Sequence, residues 1–385
     1  PPPRRSRRPM RIALISRRYP PLIGGAEKAL SYLAPALAEL GHEVDVLTSR
    51  PPGALLPEVE PVPTAKGSCT VHRLATSRLR FVGTWLYMKN LRRWLEEHPP
   101  ELAYVSMLKH DAYVAVDAGR RLGFPVVLRP EGAGETGDLA WQSWGNFGRT
   151  IGERTRQADA IVAISRPIED ELRSAGYPRE KIHRLPNGVP VPDRIWQRRE
   201  GWRDAPTAAF IGRLAPEKGL DALIKAWPIV RRSFPTARLV IHGEGPEGPT
   251  LQAGVGKLGL GDAIRFPGPT ADPISSLREA DLFVLPSREE GMSIALLEAM
   301  ALGIPVVASS IPGNRRLISD FKEGRLAPVD DPEGMARVIV EQWTEFDRAF
   351  HMSRAARKKV EGTYAVPEVA RRHDELFRAL VASRG

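Results

Sequence analysis

Residues Leu282 to Ala308 read LFVLPSREEGMSIALLEAMALGIPVVA. Leu282–Leu285 is a short apolar run of the kind that forms a strand buried on both faces, and Pro305–Ala308 is a second one. Between them lie a turn, Pro286 to Met292, and an apolar helical stretch for which Ser293 is a suitable N-cap. Strand, turn, helix and strand in that order make a unit of parallel sheet. The same alternation extends in both directions. Toward the N-terminus of this half, strands are expected at Thr207–Ile211, Arg238–His242 and Ala263–Phe266. In the first half they are expected at Arg11–Ser16, Glu43–Thr48, Val71–Leu74, Leu102–Ser106, Val126–Arg129, Ala160–Ile164 and Ile182–Leu185. Helices fall between several of them, including Ala26–Leu40 and Ala112–Leu122. In the former, Leu30, Leu33, Leu37 and Leu40 recur at helical spacing and Gly41 stops the run.

The pattern breaks at Pro186-Asn187-Gly188-Val189-Pro190-Val191-Pro192, a run of turn formers followed by an Arg-rich stretch to Pro206. An interdomain linker is expected there. A chain of 385 residues exceeds what one core usually serves. The expectation is therefore a first Rossmann-like domain over 10–190, with a C-terminal helix of about 366–385 packing back on it, and a second over 205–365. Ligands of such sheets bind outside the carboxyl ends of the strands, so the expected fold class is α/β, two facing doubly wound domains with an active-site cleft between them.

Composition narrows the function classes. No run of about 18 apolar residues occurs, so nothing is expected to span a membrane. The single cysteine, Cys69, excludes an internal disulfide and fits a reducing cytoplasm. The net charge of +10 owes four charges to the tail residues Arg4, Arg5, Arg7 and Arg8, and favours anionic partners without choosing among them. A nucleic-acid-binding module would gather its basic residues on one element, whereas here they are spread along the chain. An NAD-dependent oxidoreductase would carry a spaced glycine fingerprint after the first strand and an acidic residue ending the second; neither is present in the right context.

Four loops, each after a strand, carry the candidate chemistry. In PPLIGGAE (Pro20 to Glu27), Gly24 and Gly25 allow backbone N–H groups to approach a phosphate at a helix N-terminus, and equally suit a plain tight turn. In GRLAPEKG (Gly212 to Gly219), Arg213 offers a planar fork and Lys218 a point charge suited to a diphosphate. Gly243-Glu244-Gly245-Pro246 reads as a close backbone approach or as an ordinary turn. In the fourth, Gly291, Met292 and Ser293 would aim N–H groups and the positive helix end at an anion. Glu290 lies in that loop and Glu298 about one turn into the helix, where a carboxylate among Leu297, Ala299 and Met300 needs a reason.

At these residues the chain resembles glycosyltransferase family 4, the retaining, nucleotide-sugar-dependent enzymes of GT-B fold. Glu290 and Glu298, with seven residues between them, match the family's Glu-x7-Glu motif, and GRLAPEKG, PPLIGGAE, LPNGV (Leu185 to Val189) and GEGPE (Gly243 to Glu247) agree in order. The resemblance implies that Arg213 and Lys218 bind the donor diphosphate and that Glu298 binds the ribose. It assigns Glu290 to the transferred sugar and the backbone of Gly291, Met292, Ser293 and Ile294 to sugar and phosphates, with Gly24, Gly25 and Gly243 beside them. It implies front-face attack with retention, the leaving phosphate helping to take the acceptor's proton. No DxD metal site occurs, so the expectation is no metal and no cofactor, the donor being a UDP- or GDP-linked sugar and the acceptor a sugar or a lipid-linked precursor. Where the family often carries a histidine beside the sugar, this chain has Glu131 in VVLRPEGAGE (Val126 to Glu135), with His110 a weaker substitute, and Pro190 stands where an Asp often follows Asn-Gly-Val. Glu131 is accordingly placed with Glu290, Arg213 and Lys218 among the catalytic candidates. A nucleotide-sugar hydrolase, epimerase or glycogen-type enzyme of the same fold is the alternative reaction. Finally, Arg78 to Trp94 mixes Arg78, Arg80, Lys89, Arg92 and Arg93 with Phe81, Trp85, Leu86, Tyr87, Met88, Leu91 and Trp94. Such a segment either rests on anionic lipid at the inner face of the cell membrane or packs its aromatics into the core.

Overall fold

The computed structural model describes residues 8–21, 24–132, 134–144 and 147–384. Arg4, Arg5 and Arg7 of the basic tail, Leu22 and Ile23 of the first glycine loop, and Ala133 lie outside these residues. The chain divides into two compact units, the first chiefly Ala26–Gly188 with Val366–Gly385 and the second chiefly Val189–Ala365.

The first unit is built on eight strands: β1 (Arg11–Ile15), β2 (Glu43–Arg50), β3 (Val59–Val62), β4 (Ser68–Ala75), β5 (Leu102–Ser106), β6 (Val126–Arg129), β7 (Ala160–Ala163) and β8 (Ile182–Arg184). They lie in the order β3-β4-β2-β1-β5-β6-β7-β8. Ile12 of β1 pairs with Val44 on one side and Leu102 on the other, both parallel. The order reverses between β1 and β5, which opens a crevice at their carboxyl ends. Strand β3 was not expected. Its VEPV sequence is mostly exposed and pairs antiparallel with β4 at the sheet edge, where a proline costs no ladder hydrogen bond. The helix Gly25–Glu39 ends as its leucines foretold, with Gly41 at φ +97° donating to Ala38 O at 2.7 Å. The C-terminal helix Val366–Ala382 places Ala370 and Phe377 in one buried cluster with Leu14, Val44 and Tyr104.

The second unit is a six-stranded, all-parallel sheet: β9 (Thr207–Ile211), β10 (Arg238–His242), β11 (Ile264–Gly268), β12 (Leu282–Leu285), β13 (Val306–Ser309) and β14 (Arg325–Ala327). Their order is β11-β10-β9-β12-β13-β14, so the reversal here falls between β9 and β12. Strand β14, three residues long, escaped the sequence reading because it offers no apolar run. Strands β12 and β13 are buried along their whole length, and so is nearly all of the helix Ile294–Leu302 between them. The Arg-rich stretch expected to be a linker is instead an ordered flank of this unit. Trp196 is buried and donates through Nε1 to Ala280 O at 2.9 Å, and Arg199 pairs with Asp281.

Candidate active site

The sheet reversal in the second unit brings the loops after β9 and β12 together. Gly219 closes the first loop at φ +63°, and a Cβ there would stand 2.3 Å from Pro286 O. The backbones therefore touch, and only glycine fits. Arg288 N donates to Glu217 O at 2.8 Å, while the Arg288 guanidinium reaches Pro216 O at 2.6 Å and Asp221 and Asp330 at 2.7 Å each. This strut sets Lys218 Nζ 2.7 Å from Glu290 Oε1, which also accepts from Ser287 Oγ at 2.7 Å. Both bonds converge on Oε1; Oε2 takes none from the described residues. Gly313 presses on the same residue from behind, since a Cβ there would lie 2.3 Å from Glu290 O. Gly243, at φ +148°, lies so close to the β9 loop that a Cβ would meet Gly212 O at 1.8 Å. Leu214 N donates to Glu244 O and Glu247 N to Leu214 O, at 2.9 and 3.0 Å. Three loops thus converge at one end of the sheet.

Ser293 caps the helix after β12, its Oγ accepting from Leu296 N at 3.3 Å. The backbone of Gly291 to Ile294 enters at the positive helix end, as the sequence suggested. Glu298 is 1% exposed on that helix. Arg213 is exposed and pairs with no acid among the described residues. Among the sequence candidates, the structure joins Lys218 directly to Glu290 and sets Gly243 against Gly212, while Arg213 makes no such contact. Among the described residues, no group of three His, Cys, Asp or Glu could hold a metal ion.

Gly25 opens the helix Gly25–Glu39, and a Cβ on it would meet nothing within 4 Å. Glu131 is held more tightly than the sequence could say. Its Oε1 accepts from Ser106 Oγ and Arg129 Nη1 at 2.5 Å each, and its N–H donates to Asp138 Oδ2 at 2.7 Å. Asp138 Oδ1 accepts from Leu108 N at 3.0 Å, tying the loop after β5 to the loop after β6. Arg129 donates through Nη2 to Asn187 of the LPNGV stretch. Burial pushes the Glu131 carboxyl up to about 7, against the opposing pull of Arg129 and the Ser106 hydrogen bond. His110 opens the helix His110–Leu122 and sits 5.4 Å, centroid to centroid, from the Trp141 ring. Burial, with Arg17 and Lys109 nearby, lowers its pKa. The next residue, Asp111, is raised to about 6 by burial, accepts from Tyr87 Oη at 3.3 Å, and feels Arg17. Ser106, Arg129, Asp138, Arg17 and Asp111 were not singled out from the sequence, and Asn187 entered it only as part of LPNGV. Ser106 and Arg129 did leave a trace, each being the polar last residue of an apolar strand.

The comparisons with known proteins bear on the family and the fold. A family model described as Glycosyltransferase Family 4 matches residues 23–191, and one described as Glycosyl transferases group 1 matches residues 205–345. A phosphatidyl-myo-inositol mannosyltransferase of Mycolicibacterium smegmatis is 30% identical, the alignment covering 86% of this chain and 84% of that one. The chain belongs to glycosyltransferase family 4. Another relative from that organism, a GDP-mannose-dependent alpha-(1-6)-phosphatidylinositol monomannoside mannosyltransferase, is 29% identical, with 90% and 92% covered. Among solved structures, a sucrose-phosphate synthase from Thermosynechococcus elongatus superposes with a TM-score of 0.81 at 21% identity, over 98% of this chain and 100% of that one. HepE of Anabaena, in complex with UDP and glucose, gives 0.76 at 18% identity, over 96% and 100%. The family-4 chain therefore has the GT-B fold and is a glycosyltransferase. The hydrolase, epimerase and nucleic-acid readings are not favoured.

Proposed function

We propose that this glycosyltransferase takes a hexosyl group from a UDP- or GDP-linked sugar, binds that donor on its second unit, and passes the sugar with retention to a lipid-linked or other sugar acceptor bound on its first. The observation that carries the reading is the Lys218–Glu290 pair, 2.7 Å apart at the sheet reversal, where ligands of such sheets bind. An ammonium group has three donors, so Lys218 can hold Glu290 and still meet a phosphate. With the unpaired Arg213 it supplies positive charge where a leaving diphosphate gains negative charge. Glu290, anchored through Oε1, offers Oε2 to hydroxyls of the transferred sugar. Glu298, buried in the capped helix, is assigned to the nucleotide ribose, and Gly243, Gly24 and Gly25 to close backbone approach. Arg213, Lys218 and the helix end at Ser293 take the part a metal plays elsewhere, so the reaction is expected to need none. In the first unit Glu131 is assigned to a substrate hydroxyl in the family's histidine place.

The relatives named for phosphatidylinositol suggest an inositol phospholipid as the first acceptor to try, and GDP-mannose as the first donor. No described helix is long and apolar enough to cross a membrane. The helix Arg80–Glu97 nevertheless presents an apolar edge: Phe81, Val82 and Trp85 are 73%, 47% and 61% exposed, and Leu79 just before it is 67% exposed. Tyr87, Leu91 and Leu95 on its other side are buried. The segment therefore packs one face into the core, and we assign its outer edge to an anionic membrane, with the enzyme on the cytoplasmic face. The test is a panel of UDP- and GDP-sugars with lipid acceptor, assayed for glycolipid product in EDTA. Product with one donor is expected, and that donor at about 100 times its Kd should add about 2.7 kcal/mol of stability. No product and no stabilisation with any donor would sink the donor assignment. Activity abolished by EDTA and restored by Mn²⁺ would sink metal independence.

A further inference from the structure

Two stretches that the sequence presents as unrelated meet at the carboxyl end of β6. They are VVLRPEGAGE, with Arg129 ending β6 and Glu131 in the family's histidine place, and LPNGV, with Asn187. Arg129 is a buried guanidinium, 3% exposed, lying between Glu131 Oε1 and Asn187 Oδ1. A buried charge is retained at a cost unless paired and hydrogen-bonded, and a fork that satisfies two acceptors at once also fixes direction. Glu131 Oε1 is fully engaged by Ser106 and Arg129, and its main chain is pinned by Asp138. Oε2 takes no bond from the described residues, and the side chain keeps 11% exposure.

We propose that Arg129 is a positioning residue for the transfer reaction: it keeps the Glu131 carboxylate ionised and oriented so that Oε2 accepts a hydrogen bond from a hydroxyl of a sugar substrate. The inference rests on the reading that Glu131 meets substrate. The two nearby acids work the opposite way. Asp138, from the helix Asp138–Trp144, and Glu27, from the helix Gly25–Glu39, both disfavour its ionisation, as burial does. Tyr104 of β5 feels both Glu131 and Arg129, and His373 of the C-terminal helix feels Arg129; burial holds the first protonated and the second neutral. Arg129 is then the cation that works against burial among the described residues, and it favours a Glu131 carboxylate near neutrality, where the pKa of about 7 already lies. Asn187 holds the second arm of the fork and stops the guanidinium from swinging away.

The experiment is the pH profile of kcat/KM for the full chain and its variants, with circular dichroism to confirm folding. The wild-type enzyme should lose activity as pH falls through about 7. Glu131→Gln should lower kcat and abolish that limb. Arg129→Gln should move the limb upward by about 1–3 pH units, the effect of losing an adjacent opposite charge. Arg129→Lys should return the limb toward its original place while kcat stays depressed, because Lys gives charge without the fork. Asn187→Ala should lower kcat and leave the limb in place. An Arg129→Gln limb that coincides with the wild type, while Glu131→Gln abolishes it, overturns the positioning role and leaves Glu131 standing. A Glu131→Gln variant with wild-type rate and profile overturns the substrate role of Glu131, and the inference with it. Should Arg129→Gln not fold, undiminished kcat in both Arg129→Lys and Asn187→Ala overturns the proposal on its own.

Discussion

Lys218 and Glu298 carry charge for different parts of the proposed donor, and their surroundings predict different kinetic signatures. Lys218 is half-buried and bonded to Glu290, whose Oε1 keeps Ser287 as a second partner when the lysine is removed. Lys218→Ala should therefore leave the fold intact and lower kcat at saturating donor by about 10²–10³-fold, as loss of a group facing developing negative charge does. Glu298→Ala should chiefly raise the donor KM, because a ribose contact is made in ground state and transition state alike. Steady-state kinetics with varied donor separates the two. A near-normal kcat for Lys218→Ala would show the loop to be a solvated turn. At this scale the sequence marked Lys218, Glu290 and Glu298 as candidates by local signals: a glycine-flanked cation and a loop carboxylate after strands, and a carboxylate within an apolar helix. It was silent on Arg129, because one arginine ending one strand in a chain with 56 Lys and Arg residues has no local mark of its partner.

The helix Arg80–Glu97 packs one face into the core and leaves an apolar edge exposed. Its spacing turns Tyr87, Leu91 and Leu95 inward and leaves Phe81, Val82 and Trp85 outside. Lys89 lies over the Trp85 ring at 5.3 Å, a basic group beside the apolar edge. Arg92 and Arg93, which the sequence offered as lipid contacts, are instead engaged with Asp117 at 3.5 Å and Glu97 at 2.7 Å. The relevant variants are therefore Phe81→Ser with Trp85→Ser, and Lys89→Glu. Co-sedimentation with phosphatidylglycerol-containing vesicles should fall for both, and should fade with salt for the wild type, since exposed charges are screened within about 10 Å at 0.1 M ionic strength. Equal binding to neutral and anionic vesicles, or undiminished binding by the double serine variant, would contradict the docking role. The helix is tied into its unit by Arg17 Nη2 donating to Thr84 Oγ1 at 3.0 Å and by Tyr87 donating to Asp111.

On the scale of the whole chain, the first unit is closed by the last helix rather than by the segments that follow it directly. His373 donates through Nδ1 to Val369 O at 2.8 Å, which leaves Nε2 to accept from Tyr104 Oη at 3.2 Å, across 269 positions of sequence. That arrangement requires a neutral ring, and burial lowers its pKa to about 4. A histidine depressed in the folded state contributes stability that is present above its ordinary value of 6.5 and lost as pH falls toward 4. Urea unfolding should therefore show wild-type stability declining over that window. His373→Phe should be destabilised by about 1–3 kcal/mol at pH 7, for the stranded Tyr104 hydroxyl, yet should decline less on acidification. Parallel declines for wild type and variant would remove His373 from the account.

Most of the architecture was open to reading along the chain. Alternating apolar runs and helical stretches announce parallel sheets, and glycines, caps and charges placed just after strands announce their working ends, because each signal depends on neighbours within one turn or one strand. Two short edge elements escaped: β3 is exposed and β14 is three residues long, so neither carries the apolar run that marks a buried strand. The order of strands was decided only in three dimensions, since pairing between parallel strands is made across crossovers and leaves no local trace. That order puts Lys218 on Glu290 across 72 positions, Arg129 on Asn187 across 58 and Tyr104 on His373 across 269. The sequence by itself determined the kind of sheet and marked the loops that are candidates to bear chemistry. The tertiary structure alone decided which charges meet, and hence which carboxylate is held ready by which cation.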